Sequence, residues 1–236
     1  MSSFTLPADY PRLQVVRSFH ELVTMRFAGG VNALCWPRTL AGDFGEVVAR
    51  LGAGEGIVTL DEERLRALPV SAAGRAAIEV MLEDQRLLQE HELAPVLNCI
   101  HGYPRDEDAA PVATDVFSFH ADSAPVEADT WLCTYHGLPS EGLRNEEAQR
   151  RVDMPATRAE LLRNFGGADD EEFRIHLNEH CYDLHYVPVA QARPFSFGVG
   201  HLWRIAVEYP GNPVPPCIHR APTTQPGDAP RLLLIS

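Results

Sequence analysis

His120 and Asp122, in the run Phe119-His120-Ala121-Asp122, stand at a spacing that can do chemistry. Side chains alternate across a strand, so an imidazole and a carboxylate two residues apart project to one face. Two such ligands can grip one metal ion without backbone strain. A histidine from a distant strand can complete the set, and His219 in Cys217-Ile218-His219-Arg220 is the best placed. Two imidazoles and one carboxylate leave coordination positions open for exchangeable ligands, an arrangement typical of non-haem Fe(II) sites. The weight of the motif lies in its company. A histidine and an aspartate two residues apart recur by chance, and with ten histidines in the chain a third one downstream is unremarkable.

That company is Arg231, twelve residues after His219 and at the head of an apolar terminal run. A guanidinium beside a metal can pair bidentately with the far carboxylate of 2-oxoglutarate, whose keto-acid end chelates the ion. The bland alternative is an ordinary strand-end surface arginine. Arg220 is a rival, but as the strand neighbour of His219 it points to the opposite face.

His176, His180 and His185 form a second group. His176 and His180 share a helix face, a spacing zinc can use, but His185 falls off that period and no HExxH is present. Polar lining or surface histidine is the plainer reading, with substrate contact by His180 and His185 as the functional one. Arg144, Arg150, Arg151, Arg158 and Arg163 make the same stretch locally cationic, which could attract an anionic substrate. Pairing with Glu146, Glu147 and Glu160 on solvated helix faces explains most of them. Trp131 and Trp203 read as core, or as walls of a substrate pocket.

Stepwise along the chain, residues 1–95 read mostly as helical support and 96–236 as a strand-rich core. Helical spacing covers 43–51, and a longer helix starts after Ser71, a good N-cap, and runs toward His91. Residues 56–60 read as a short strand between them. After Pro95, strands are expected at 96–101, 115–122, 130–135, 184–189, 194–200, 201–209, 217–221 and 231–235. Many short strands punctuated by proline and glycine point to a sandwich or barrel. Residues 137–183 interrupt them with a polar, helical stretch. It holds a capping box at Thr157 and Glu160 and a stop at Gly166-Gly167, and a long insertion of this kind reads as a lid.

The chain has 236 residues, 45% of them hydrophobic, enough for one sizeable core. A formal net charge of −13 repels phosphate backbones and argues against nucleic acid as a partner. The opening Met1-Ser2-Ser3-Phe4 lacks a basic, apolar leader pattern and no run reaches membrane-spanning length, so a cytoplasmic protein is expected. Five cysteines without CxxC spacing read as buried thiols in a reducing compartment.

The order HxD, long gap, His, short gap, Arg, apolar strand resembles the Fe(II)/2-oxoglutarate-dependent dioxygenase superfamily. The stretch from His219-Arg220-Ala221-Pro222 through Pro230-Arg231-Leu232-Leu233-Leu234 is its most specific part. More narrowly, residues 30–38 (Gly-Val-Asn-Ala-Leu-Cys-Trp-Pro-Arg), 119–137 and the C-terminal block resemble a family of uncharacterised bacterial proteins. The resemblance implies a double-stranded β-helix: a jelly-roll, cupin-like core, mainly β with flanking α-helices. It implies Fe(II), 2-oxoglutarate and dioxygen acting on a small-molecule substrate, with hydroxylation first and desaturation or cyclisation second. One departure stands out, since Arg231 is followed by Leu232-Leu233 rather than the Arg-x-Ser of several branches, so the hydroxyl that the resemblance implies beside the cosubstrate carboxylate would come from Tyr135, Thr134 or Thr130. The alternatives are a silent jelly-roll binding protein and a cupin-like metal enzyme that uses no 2-oxoglutarate.

Overall fold

The computed structural model describes residues 6–7, 9–105, 110–225 and 227–236. Residues 1–5, on which the leader argument rests, and residue 226 of the C-terminal block lie outside the described residues. Two sheets carry the fold. The larger is built from β1 (Leu13–Val15), β2 (Ala33–Trp36), β3 (Ile57–Leu60), β4 (Val96–Ile100), β6 (Asp129–His136), β11 (Leu202–Ala206) and β13 (Arg231–Ile235). Its order is β1-β2-β11-β6-β13-β4-β3, antiparallel except where β1 lies parallel to β2. The smaller contains β5 (Phe119–His120), β7 (Glu141–Leu143), β8 (Ala148–Arg150), β9 (His185–Pro188), β10 (Phe195–Ser196) and β12 (Ile218–Arg220), in the order β10-β7-β12-β5-β9-β8. All its pairings are antiparallel. The chain is therefore β-rich, with helices packed on the outside.

Period-two alternation divides the larger sheet into two faces. Trp131, Cys133, Tyr135, Leu97, Cys99, Leu232 and Leu234 turn toward α1 (Phe19–Thr24), α2 (Phe44–Leu51), α3 (Glu62–Arg66) and α4 (Ala72–Gln89). They meet Leu22, Val47, Leu65, Ile78, Met81 and Leu88 in the main core. Each such side chain contributes about 1.5–3 kcal/mol by leaving water. Thr130, Leu132, Thr134, Asn98, Ile100, Arg231 and Leu233 turn the other way, toward the smaller sheet.

The helices begin where their caps dictate. The Asp43 side chain accepts from the Glu46 amide at 2.9 Å, and Ser71 Oγ accepts from the Gly74 amide at 3.2 Å. Each satisfies a donor the first turn leaves unpaired.

Several expectations need correction. The segment 115–122 is strand only at β5, because Asp115 Oδ1 accepts from the amides of Phe117 (3.1 Å) and Ser118 (3.3 Å) and turns the backbone. Strand 194–200 shortens to β10, and Gly198 and Gly200 follow at φ 71° and 85°, in the left-handed region. The N-terminal third carries more strand than the expected β3, since β1 and β2 also join the larger sheet. Ala33-Leu34-Cys35-Trp36 is a continuous apolar run without alternation, which periodicity does not assign.

The segment 137–183, expected as a lid-like insertion that interrupts the strands, carries strands of its own. β7 and β8 in this segment are woven into the smaller sheet, and α5 (Pro155–Phe165) and α6 (Glu171–Glu179) close a separate small core with Val112, Val152, Leu161, Phe173 and Leu177. Thr157 is not a cap, because α5 starts two residues earlier with Pro155 in its first turn after Met154. Gly166 does end that helix, at φ 76°.

Candidate metal centre and cavity

β5 lies between β12 and β9, and His120 is the Cα partner of both His219 and His185. Cross-strand partners project to the same side, so pairing brings the imidazoles of His120 and His219 to a centroid separation of 4.6 Å. Asp122 follows β5, its carbonyl held by the Glu208 amide at 2.7 Å. Its carboxylate lies 3.7 Å from Nε2 of each histidine. The donor atoms of His120, Asp122 and His219 all lie within 4.8 Å of one another, a separation that small side-chain rotations close around one ion.

The surroundings prepare these groups as ligands. His120 Nδ1 faces the Ser118 carbonyl at 2.8 Å, and His219 Nδ1 faces the Cys217 carbonyl at 3.4 Å. A carbonyl only accepts, so both Nδ1 atoms carry a proton and both Nε2 atoms are turned to the centre. Burial, with the neighbouring His219 adding to it, pushes His120 down to about 4, so its imidazole is neutral at ordinary pH. Burial acts to raise Asp122, but His219, the Thr130 hydroxyl and His120 outweigh it and hold the carboxyl below its usual range. Thr130 Oγ1 donates to Asp122 Oδ2 and so orients the carboxylate. The donor set, its protonation and its orientation fit a first-row divalent metal.

Arg231 lies on the cavity face of β13 and is 2% exposed. Its Nη1 donates to the Tyr103 hydroxyl at 2.6 Å, and its Nη2 to Ser140 Oγ at 3.0 Å and Thr134 Oγ1 at 3.3 Å. Nε is buried without a partner. Burial pushes this guanidinium down, with only the Tyr103 hydroxyl acting against it. No carboxylate among the described residues pairs with Arg231. Gly137 makes the packing around it feasible, because a Cβ there would stand 3.1 Å from Arg231 Cα and Cγ at a left-handed φ of 82°.

One cavity of about 220 Å³ joins the two groups. Its lining includes His120, Asp122, His219, Thr130, Arg231, Tyr103 and Ser140, with Asn98 and aliphatic side chains between. Larger hollows, of about 680 and 520 Å³, lie beside Arg204 and along α4. In neither do three metal-ligating side chains among the described residues come close enough to share one ion.

The other expected site residues lie apart from this cavity. Tyr135 is on the helix face, where its hydroxyl donates to Asp84 at 2.7 Å, so it is not a cosubstrate contact. Thr134, one residue away and on the opposite face, does reach Arg231. Trp131 belongs to the main core with Arg204 over its ring at 5.2 Å, and does not wall the cavity. Trp203 is core too, stacked on Phe197 at 4.2 Å. Arg144 is tied to Asp9 and lies against Tyr10, away from the lining. His180 is exposed at the end of α6, its Nδ1 donating to the His176 carbonyl at 2.9 Å. His185, the register partner of His120 on β9, is buried beside it, ring centroids 5.7 Å apart, and is not a lining residue. Arg220 points outward onto Glu141 at 2.6 Å. Four cysteines are buried, but Cys181 is exposed.

Three cavity residues had no signal in the sequence: Tyr103, Ser140 and Asn98. Tyr103 and Ser140 follow strands in irregular segments, where periodicity says nothing. Asn98 sits in an alternation that left open which face is lined.

The protein is thus β-rich, with a two-histidine, one-carboxylate group able to hold a metal, and no helix among the described residues is long and apolar enough to cross a membrane. Comparison with protein-family models, with curated proteins and with solved structures returns no match to this chain.

Proposed function

We propose that this chain is an Fe(II)- and 2-oxoglutarate-dependent oxygenase with a double-stranded β-helix core that hydroxylates a small organic molecule. The observation that carries the reading is the single cavity holding both a set of three metal-ready ligands and a buried arginine without an acidic partner. A buried cation left without a counter-ion costs stability unless a ligand supplies the charge. His120, Asp122 and His219 would hold Fe(II), and Arg231, braced by Tyr103, Ser140 and Thr134, would take the far carboxylate of 2-oxoglutarate.

Bound iron would supply activation of dioxygen, coupled to conversion of 2-oxoglutarate to succinate and carbon dioxide, with the second oxygen atom entering the substrate C–H bond. The chain's own part is to turn both Nε2 atoms to the centre, to orient Asp122 through Thr130, and to shield the site with Ile100, Leu132 and Leu233. Because the carboxylate ligand is present, no missing side chain leaves a place for halide, which favours hydroxylation over halogenation. The buried free thiols support a reducing, cytoplasmic setting.

The test is anaerobic addition of Fe(II) and then 2-oxoglutarate to wild type, His219→Ala and Arg231→Leu. Wild type is expected to develop the visible charge-transfer band of a 2-oxo acid chelating Fe(II), and to release succinate once oxygen is admitted. His219→Ala should lose iron. Absence of both band and succinate in the wild type would overturn the reading.

A further inference from the structure

We infer that the molecule oxidised is uncharged and largely aliphatic, and that Asn98 holds its hydrogen-bonding group; this rests on the oxygenase reading and deepens it. The argument begins with what remains of the cavity once the triad and Arg231 have been assigned to metal and cosubstrate. No other charged side chain lines it among the described residues. Ile100, Leu132 and Leu233 are each at most 5% exposed, so their faces toward the cavity are shut off from bulk water. A charged substrate group seated among them would lose its hydration and meet no counter-ion.

The mouth has the same character. Ile57 on the edge strand β3 is 48% exposed and Ile235 at the end of β13 is 37% exposed, and both line the cavity. Val96, the cross-strand partner of Ile235, is 37% exposed beside it. Aliphatic side chains left in water around the entrance to a cavity mark a ligand path rather than a solvated rim. The general field of the chain does not impose this selection. A net charge of −13 would favour a cation, yet no acidic side chain other than the ligand Asp122 faces the cavity among the described residues.

Asn98 is the one neutral amide in the lining. It is nine-tenths buried, and the Thr59 hydroxyl donates to its Oδ1 at 3.1 Å across the β3–β4 pair. With that end occupied, the carboxamide NH2 has no protein acceptor among the described residues, and Asn98 lines the cavity. A donor without a protein partner on a largely buried residue calls for an acceptor. A substrate carbonyl or hydroxyl oxygen supplies one without bringing charge. Leu233, the register partner of Asn98 on β13, stands two residues from Arg231 on the same face, so this donor lies on the same cavity floor as the anchor.

The experiment uses the full chain loaded with Zn(II), with 2-oxoglutarate in excess. It is titrated by saturation-transfer NMR with three probes of one length: hexanamide, hexanoate and hexylammonium. Hexanamide is expected to bind at least tenfold more tightly than either charged probe. Asn98→Leu should weaken hexanamide roughly fivefold, the worth of one neutral hydrogen bond. Ile57→Asp, on an exposed edge where folding is not at risk, should weaken it as well. Hexylammonium or hexanoate binding as tightly as hexanamide overturns the inference, as does hexanamide binding that ignores both substitutions. Repeating the titration without metal or 2-oxoglutarate separates the two proposals. Amide selectivity that persists while the charge-transfer band never forms would remove the oxygenase reading alone. A band with no probe discrimination would remove this inference alone.

Discussion

Two buried arginines, Arg38 and Arg231, lie on opposite sides of the larger sheet and are served differently. On the helix side, Arg38 grips Asp84 of α4 through both Nη atoms, at 2.6 and 2.8 Å, and donates through Nε to the Gly200 carbonyl at 3.0 Å. Tyr135 gives its hydroxyl to the same carboxylate. Burial works against the charge on Arg38, but the bond to Asp84 outweighs it and the group is held more firmly protonated. On the cavity side, Arg231 meets three hydroxyls, leaves Nε without a partner, and is pushed down by burial. One cation is paired with an acid inside the protein, and the other meets only hydroxyls among the described residues. On the function proposed above, the difference separates an arginine that ties a helix to a sheet from one that receives a ligand.

The comparison breaks most visibly at Asp84. Asp84→Ala leaves Arg38 buried without its acid and should cost about 3–5 kcal/mol of stability, read from denaturant unfolding. Affinity for 2-oxoglutarate in the fraction that stays folded should be unchanged. A small loss of stability would put Arg38 in the same class as Arg231.

Arg231→Leu should do the reverse. It removes charge-assisted contacts worth about 1.5–3 kcal/mol, so 2-oxoglutarate affinity should fall by roughly tenfold to a hundredfold or more in calorimetry. Iron affinity should stay close to wild type, and the unfolding midpoint should hold or rise. Arg220→Leu, on the outward face, should leave cosubstrate binding intact. A large loss there and none at Arg231 would reassign the anchor.

A smaller effect is expected one layer out from the metal. Thr130→Val removes the hydroxyl that orients Asp122 and should lower metal affinity by about tenfold, with little change in stability. Equal affinity in competition with a chelator would mean that Asp122 orients itself.

The gentlest sharpening is a pH slope in metal-free protein. His120 is held down to about 4 in the folded chain, against 6.5 for the free side chain. Between these values the unfolded chain takes up a proton that the folded chain refuses. Stability from this group is therefore full above about pH 6.5 and drains as pH falls toward 4, by at most about 1.4 kcal/mol per pH unit. His120→Gln should flatten that part of the curve. An unchanged slope would locate the titration elsewhere.

By itself the sequence determined the features that follow from local periodicity. The two-residue spacing of His120 and Asp122 points to one shared side, although Asp122 lies past the end of β5 and its backbone is held by Glu208, and strand parity sets Arg231 and Arg220 apart. Helical spacing and side-chain caps set α2 and α4, because a cap and the turn it serves lie within four residues of each other. The tertiary structure alone decided which of two alternating faces meets the cavity. Thr130, Leu132 and Thr134 share β6 with Trp131, Cys133 and Tyr135, and only the packing of α2 and α4 assigns the second set to the main core. It also decided that β2 is a strand, that β7 and β8 within 137–183 join the smaller sheet, and that Tyr103, Ser140 and Asn98 line one cavity with Arg231. Those residues come from separate loops and strands up to 133 positions from Arg231, counting from Asn98. Their meeting depends on strand register, which is set by the sum of many side-chain packings and is written in no short stretch of chain.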